Sequence, residues 1–218
     1  CIIEIVEYWV RKTSTSSISL AGGVFANVKI NQRISENPLV SDVQVFPNMG
    51  DGGIALGGIW QSLQSKGKLQ KGDLYTNMFL APKQISSLEE EASTYRNDAN
   101  LKIKRFSTQI EKYVTGAELI SKGKLVALHE GPMEYGPRAL GSRSLLLDPR
   151  DSSIQVSVNA RLKRTEFMPF APMILEEDFY DWFEISPTQT LVPFKFMTMT
   201  CNVKKQKVDR IPAVVHVD

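Results

Sequence analysis

The sequence predicts an α/β protein made of two consecutive halves. In the first half, a short apolar strand-like stretch is followed by a glycine-rich turn and a helical pattern, and this order then repeats. The second half also mixes strand-like and helical patterns. Residues 66–84, which are polar and contain Gly67, Gly72 and Pro82, form the predicted boundary between the halves.

Helical and alternating spacing of apolar residues defines the predicted elements of the first half. Asp51 lies between the glycines of the second turn, and Gly67 closes the last helix. The predicted elements are, in order, a helix over 1–12, a strand over 17–23, a helix carrying Ile30 and Ile34, a strand over 42–48, and a helix carrying Leu56 and Trp60.

The same criteria predict more elements in the second half, where Asp151 is the expected cap of one helix. These elements are, in order, a helix carrying Ile85, Leu88 and Ala92, a helix carrying Ile110 and Val114, strands over 124–129 and 144–148, a helix carrying Ile154 and Val158, a half-buried strand over 197–203, and a last strand over 212–218.

Composition narrows the functional class. The chain has 218 residues, a net charge of +2 and two cysteines, so neither a disulfide framework nor a strong bias toward nucleic acid is expected. No apolar run reaches the length of a membrane span, and no export signal is recognisable, so a cytoplasmic location without membrane contact is predicted. Because the chain begins at Cys1 without a methionine, we expect a piece of a longer protein.

The first glycine turn lies in "LAGGVFAN", residues 20–27. Gly22 and Gly23 follow a strand and precede a helix, where backbone N–H groups can approach a phosphate closely. The alternative interpretation is a tight strand–helix turn without a ligand.

The second glycine turn lies in "FPNMGDGGIALGG", residues 46–58. Asp51 between Gly50 and Gly52 could bind a metal, a ribose or a magnesium-bound phosphate. The alternative is an aspartate that only caps the following helix. Two glycine turns facing one cleft favour a nucleotide site more than either turn does alone.

A loop rich in glycine and proline contains the strongest functional signal, "LHEGPMEYGPRALGSRSLLLDPR" at residues 128–150. Arg138 and Arg143 could converge from this loop, and their planar guanidinium groups suit phosphate or carboxylate. Downstream, "NARLKR" supplies Lys163 and Arg164, for which a solvated basic helix end is the alternative.

Five motifs together resemble the O-carbamoyltransferases of nodulation and antibiotic tailoring, in the same order and over nearly the whole chain. The motifs are "LAGGVFANVKINQRI", "FPNMGDGGIALGG", "EYGPRALGSRSLLLDPR", "VNARLKRTEFMPFAPMIL" and "PAVVHVD".

This resemblance implies the C-terminal part of an ASKHA (actin/sugar kinase-like) domain at residues 1–82. It further implies a linker or helix at 83–104 and an incomplete YrdC-like α/β domain at 105–218. In the family, the YrdC-like domain makes carbamoyl-adenylate from carbamoyl phosphate and ATP. The ASKHA domain then transfers the carbamoyl group to a substrate hydroxyl near a bound metal.

The resemblance also implies roles for individual residues. It implies that Arg138, Arg143 and Lys163 are catalytic residues of the site that binds carbamoyl phosphate and ATP. Their preorganised positive charge would stabilise the phosphoryl transition state. The resemblance makes Asp51 a ligand of a divalent metal, iron or magnesium. Substrate and nucleotide contacts are implied for Gly22, Gly23, Asn27, Gly50, Gly52, Ser144 and Arg164.

The implied cofactor is ATP, and the implied partners are carbamoyl phosphate and a hydroxyl-bearing small molecule, with a homodimer possible. The chain departs from the family in having no HxxxH pair, in Met168, and in "HEGPMEYGPRALG" where Gln-Gly is expected. We therefore expect little or no complete transfer by this chain alone. The alternatives are an ASKHA-class sugar kinase or ATPase, and a non-catalytic module that binds RNA or a protein.

Overall fold

The computed structural model describes residues 1–69, 77–82, 88–164 and 169–216. Its helices are α1 (Ile2–Thr13), α2 (Val28–Ser35), α3 (Ile54–Ser65), α4 (Leu88–Thr94), α5 (Gln109–Ser121), α6 (Ile154–Arg161), α7 (Phe179–Trp182) and α8 (Val192–Lys195). Its strands are β1 (Ser17–Leu20), β2 (Asp42–Val45), β3 (Val126–His129), β4 (Arg143–Leu146), β5 (Phe183–Glu184) and β6 (Asn202–Val203). Short 3-10 helices cover Gly23–Ala26, Asp51–Gly53, Glu176–Asp178, Lys205–Arg210 and Pro212–Val214.

The predicted α/β class is confirmed as a mixed helix and strand fold. The chain forms two compact units that are not continuous in sequence. The first unit consists of Cys1–Met78, Tyr135–Leu140 and Pro149–Asp218, and the second consists of Phe79–Glu134 and Gly141–Asp148. The domain boundaries implied by the resemblance divide the chain by family motif instead, and they stay a prediction.

The first unit is built around a parallel pair of strands. β1 and β2 pair from Ser17–Asp42 to Leu20–Val45, so both strands end at the same edge. α2 connects them, and the Asn27 side chain caps this helix by accepting from the backbone N–H groups of Lys29 and Ile30, each at 3.1 Å. Ile34 on α2 and Val43 on β2 are completely buried in the core between these elements.

Residues far along the chain complete this unit through buried amide side chains. The side-chain amide of Gln189 hydrogen-bonds to the backbone of β2 as a neighbouring strand would. Its Oε1 accepts from the Val43 N–H and its Nε2 donates to the Val43 carbonyl, both at 3.1 Å. Asn31 Nδ2 donates to the carbonyl oxygens of Phe25 and Thr198, both at 2.7 Å. These contacts hold the 189–198 segment against β2 and α2.

The second unit contains an antiparallel pair, in which β3 and β4 pair from Val126–Leu146 to His129–Arg143. α5 packs on this pair and is capped by Thr108, whose hydroxyl accepts from the Glu111 N–H at 3.2 Å. Over the ranges described, no helix in either unit is long and apolar enough to cross a membrane.

Three predictions about local structure are wrong. Over 197–203 only Asn202–Val203 is a strand, because Met197 has a φ of 53° and the Thr198 N–H turns back to the Pro193 carbonyl at 2.9 Å. The predicted strand over 212–218 begins instead as a 3-10 helix over Pro212–Val214, and residues 217–218 lie outside the described ranges.

The third wrong prediction is the Asp151 helix cap. Ser153 is the residue that precedes α6, and it makes no capping hydrogen bond with its side chain. Asp151 Oδ1 accepts from the Ser153 N–H at 2.9 Å, so this carboxylate organises the turn before the helix and not its first turn. The predicted position of Ile85 in α4 also lies outside the described residues.

Candidate functional site

The two glycine turns lie side by side in the first unit, as their positions after two parallel strands require. Gly22 follows β1 with a φ of 116°, a conformation that residues with a Cβ rarely adopt. Its N–H donates to the carbonyl oxygen of Met49, in the second turn, at 2.7 Å. The two turns are therefore in direct contact, and a nucleotide bound by them stays a prediction.

The glycines of the two turns differ in the space around them. A Cβ at Gly23 or at Gly50 would have no neighbour within 4 Å. At Gly53, a Cβ would lie 2.2 Å from the Asn48 carbonyl oxygen, and at Gly52 it would lie 2.9 Å from the Asn48 side chain. Gly53 is thus required by packing, whereas Gly23 and Gly50 leave backbone open to a ligand.

Asp51 is the exposed first residue of the 3-10 turn Asp51–Gly53. It does not cap α3, because that helix is preceded by Gly53 and has no side-chain cap. The described residues contain no group of three histidine, cysteine, aspartate or glutamate side chains that could hold a metal ion. Asp51 fits the role of one ligand at most, and a metal at this turn stays a prediction.

The segment Tyr135–Leu140 belongs to the first unit and contacts both glycine turns. The Tyr135 hydroxyl donates to the Gly52 carbonyl oxygen, and a Cβ at Gly136 would lie 3.4 Å from the Pro47 carbonyl oxygen. Arg138 Nη2 donates to the Ala26 carbonyl oxygen at 2.9 Å, at the end of the first turn. We call these three parts, residues 22–26, 47–53 and 135–138, the glycine-turn site.

Arg143 lies in the second unit, at the start of β4. Its Nη1 donates to the carbonyl oxygens of Glu130, Gly131 and Ser142, at 3.1, 3.1 and 3.0 Å. All three acceptors are backbone atoms of the loop itself, so the guanidinium is held on one side. Its Nε and Nη2 make no hydrogen bond with the part of the chain that the structure describes, and they remain able to bind an anion.

Two neighbouring side chains shape the loop around Arg143. Glu134 Oε1 accepts from the N–H groups of Ser142 and Arg143, at 2.7 and 3.1 Å. The Ser144 hydroxyl, a predicted substrate contact, accepts from the Gly141 N–H at 2.9 Å. Ser144 therefore has a clear role in the loop, and a ligand contact for it stays a prediction.

Lys163 and Arg164 follow α6 in the first unit, and both are exposed. Lys163 has a φ of 52°, and Arg164 Nη1 donates to Asn159 Oδ1 at 3.1 Å. Of the predicted anion-binding residues, Arg138, Lys163 and Arg164 thus belong to the first unit, and Arg143 and Ser144 to the second. A single cluster containing all five stays a prediction.

Sequence reasoning did not predict roles for Tyr135, Glu134 or Glu130. Glu130 accepts from the Tyr113 hydroxyl at 2.6 Å and from Lys112 Nζ at 2.9 Å. The hydrogen bond from Tyr113, followed by that from Lys112, lowers the pKa of the Glu130 carboxyl. Glu134 and Tyr135 lie four and three residues before the predicted Arg138, so their position in that motif was the available signal.

Comparison with known proteins gives consistent matches over both halves. A family model described as the carbamoyltransferase N-terminus matches residues 1–59. A second model, described as the carbamoyltransferase C-terminus, matches residues 117–218. The glycine-turn motifs lie within the first match, and the arginine loop lies within the second.

Individual relatives match over the same region. An uncharacterized protein of Methanocaldococcus jannaschii, MJ1058, is 31% identical over 100% of this chain and 35% of its own length. The nodulation protein NolNO of Sinorhizobium fredii is 30% identical over 100% of this chain and 31% of its own length. The nodulation protein NolO of Bradyrhizobium diazoefficiens is 32% identical over 95% of this chain and 37% of its own length.

The chain therefore spans about a third of the length of these relatives. The two family models cover most of it, in the order in which their names place them. With these matches and the motifs that they contain, the chain belongs to the carbamoyltransferase family.

Proposed function

We propose that this chain is part of an O-carbamoyltransferase that activates and then transfers a carbamoyl group. In the first step, carbamoyl phosphate reacts with water to give carbamate and phosphate, and a carbamate oxygen then attacks the α-phosphorus of ATP to give carbamoyl-adenylate and pyrophosphate. In the second step, the carbamoyl group passes to the hydroxyl of a small-molecule acceptor, such as a sugar or a related natural product. The observation that carries this proposal is the ordered match of both carbamoyltransferase family models on one chain.

The geometry of Arg143 supports an anion-binding role in the activation step. Displacement at the α-phosphate of ATP increases negative charge, and a preorganised guanidinium stabilises such charge without needing to reorient. Three backbone carbonyls hold Arg143 Nη1, while Nε and Nη2 make no hydrogen bond elsewhere in the described ranges. We propose that this free side contacts the phosphates of ATP or carbamoyl phosphate.

The glycine-turn site supports the transfer step. Open backbone at Gly23 and Gly50 suits close approach by a phosphate group. In this proposal, residues 1–82 belong to an ASKHA-like domain and residues 105–218 to a YrdC-like domain. A divalent metal, iron or magnesium, would be held by Asp51 together with ligands from other parts of the protein, and would polarise the reacting groups when bound.

ATP–pyrophosphate exchange that depends on carbamoyl phosphate tests the activation step. We expect the chain to catalyse exchange, and Arg143→Ala to reduce it by about 100-fold or more, as for loss of a transition-state donor. Arg143→Lys keeps the charge but not the planar fork, so it should restore only part of the rate. Lys122→Ala, which removes an exposed charge at the end of α5 in the same unit, is the matched control.

Exchange that is unchanged by Arg143→Ala would contradict the proposed role of this residue. Absence of exchange from a folded wild-type chain would place activation outside this part of the protein. Transfer is measured separately, as carbamoylation of a hydroxyl acceptor.

A further inference from the structure

We propose that the first unit contains a second binding site, a cavity that takes one ring of a neutral sugar or of a similar polyhydroxylated molecule. The cavity has a volume of about 370 Å³ and is lined by residues 16, 35–41, 186 and 188, all of which belong to this unit. We call it the hydroxyl pocket. Its volume lies within the range of small-molecule sites, roughly 300–1,000 Å³. The pocket is independent of the proposed carbamoyl transfer.

The hydroxyl pocket lies at the opposite end of the parallel strands from the glycine turns. Ser16 directly precedes β1 and Ser41 directly precedes β2, whereas the glycine turns follow the two strands. The Ser41 N–H donates to the Ser16 carbonyl oxygen at 2.9 Å, so the two strand starts lie side by side. Each strand has four residues, which corresponds to a length of about 13 Å. A ligand in the pocket is therefore separate from one at the glycine turns.

Contacts with the rest of the first unit hold the walls of the pocket in place. Asn37 Oδ1 accepts from the Leu39 N–H at 2.9 Å, and Asn37 Nδ2 donates to Glu7 Oε1 at 2.8 Å. On the opposite wall, the Ser186 carbonyl oxygen accepts from the Gln189 N–H at 3.1 Å. The Gln189 side chain is buried and bonded to the backbone of β2. A ligand would meet a preformed surface, which lowers the entropy cost of binding.

Two pairs of exposed hydroxyl groups provide the recognition chemistry. Ser16 pairs with Ser41, and Ser186 pairs with Thr188, each with 2.9 Å between the two oxygens. A hydroxyl has one proton to donate and two lone pairs to accept with. Each pair uses one proton internally, so it keeps a second O–H and lone pairs for a ligand. Such a pair can donate and accept at one point, which matches the hydroxyl groups of a sugar.

The charge of the pocket favours a neutral ligand. Glu36 lines it, but its Oε2 pairs with Arg33 Nη1 at 3.1 Å and its Oε1 accepts from Gln32 Nε2 at 2.6 Å. Among the described residues, none of those that line the pocket is basic, so an anion would find no opposite charge there. Pro38 and Leu39 add apolar surface, on which the C–H face of a sugar ring can pack.

Titration of the isotope-labelled chain with methyl α-D-glucoside, followed by amide NMR shifts, tests the proposal. We expect the N–H signals of Leu39, Ser41 and Thr188 to shift along one saturation curve, while those of the glycine turns stay unchanged. Ser41→Ala and Thr188→Val each remove one hydroxyl and should weaken binding by about threefold or more. Ser65→Ala removes an exposed hydroxyl on α3, outside the pocket, and should bind the glucoside like the wild type.

Two further probes test the chemistry of the ligand. Cyclohexanol has a six-membered ring but a single hydroxyl, so it should bind about tenfold more weakly than the glucoside or not at all. D-Glucuronate keeps the ring hydroxyls and adds a carboxylate, and it should also bind more weakly, because none of the described lining residues supplies a positive charge.

Three results would overturn the proposal. The first is no shift of the pocket amides with either the glucoside or its galacto epimer. The second is wild-type affinity in both Ser41→Ala and Thr188→Val, and the third is tighter binding of cyclohexanol or glucuronate than of the glucoside. Unfolding midpoints of the variants separate a lost hydroxyl from a damaged fold. Because Thr188 is exposed, Thr188→Val decides the matter if Ser41→Ala does not fold. Absence of carbamoyl-phosphate-dependent exchange would contradict the proposed function and leave this site unaffected.

Discussion

The two compact units differ in what holds them together. The first unit has a core of buried aliphatic side chains, in which Ile34 and Val43 are 0% exposed. Among the described residues of the second unit no hydrophobic side chain is fully buried, and the buried side chains there are polar, Ser142 and Asp148. The second unit therefore lacks the densely buried apolar core of the first among its described residues.

This difference bears on how each candidate site is held. The glycine turns extend from β1 and β2, whose side chains form the dense core of the first unit. A dense core resists small displacements, so groups attached to it keep a fixed geometry. Arg143 is instead oriented by backbone carbonyls and by Glu134, so its geometry depends on a polar loop. Such a loop is more easily altered by a single substitution.

The largest expected effect is on core packing. Ile34→Ala should lower the free energy of unfolding by about 2–5 kcal/mol, because the removed atoms leave a cavity in the core. Ile120→Ala, in α5 of the second unit, removes the same atoms from a half-buried position and should cost about 1 kcal/mol or less. Urea denaturation followed by circular dichroism measures both values. An equal loss of unfolding free energy in the two variants would contradict the conclusion that only the first unit has a densely packed core.

Replacing a glycine by alanine should destabilise the chain at one position in the first unit and stabilise it at one position in the second. Gly53→Ala places a methyl group 2.2 Å from the Asn48 carbonyl oxygen and should destabilise the chain by about 1–3 kcal/mol. Gly116 lies inside α5, and a Cβ there would have no neighbour within 4 Å. Gly116→Ala should therefore stabilise the chain by about 0.5–1 kcal/mol through lower backbone entropy of the unfolded state.

Thermal unfolding midpoints of these two variants provide the measurement, with Gly23→Ala as a third variant. Gly23 has open space around it and no positive φ, so its substitution should leave the midpoint near that of the wild type. If Gly53→Ala left the unfolding midpoint unchanged, the turn would have to relax around the new methyl group, and the packing argument for this glycine would be wrong.

Local patterns predicted the centre of the fold well. β1, β2 and α2 were predicted because apolar residues recur at strand or helix spacing within each segment, which is a property of the segment alone. The strand predicted over 197–203 failed because its alternating apolar residues are placed by distant contacts. Thr198 is held by the Asn31 side chain, 167 residues earlier. No short pattern contains that information.

In the candidate site, too, local patterns predicted some features, and others depend on contacts between distant parts of the chain. The glycine turns and the arginine loop were found from composition and spacing, and the two turns are in direct contact. The partner of Arg138 is Ala26, 112 residues away, and five-residue spacing between Arg138 and Arg143 suggested a shared site instead. Only the fold shows that the segment carrying Arg138 packs against the turns of the first unit.

The smallest expected effect concerns the polar contacts of the second unit and depends on pH. The hydrogen bond from Tyr113, then that from Lys112, lowers the pKa of Glu130. A carboxyl whose pKa is lower in the folded state stabilises the fold above its unfolded pKa, about 4.3, and this contribution is lost as pH falls through the folded value. Glu130→Gln should therefore lower the unfolding midpoint at neutral pH.

The difference between wild type and Glu130→Gln should shrink as the pH falls through the lowered pKa of Glu130, where the wild-type carboxyl takes up its proton. Glu118→Gln is the control, because Glu118 is an exposed carboxyl on α5, the helix that carries Tyr113 and Lys112. Midpoints measured between neutral and acid pH test both variants. A difference that is the same at every pH would show that the charge of Glu130 contributes nothing, and the second unit would then need another source of stability than its polar contacts.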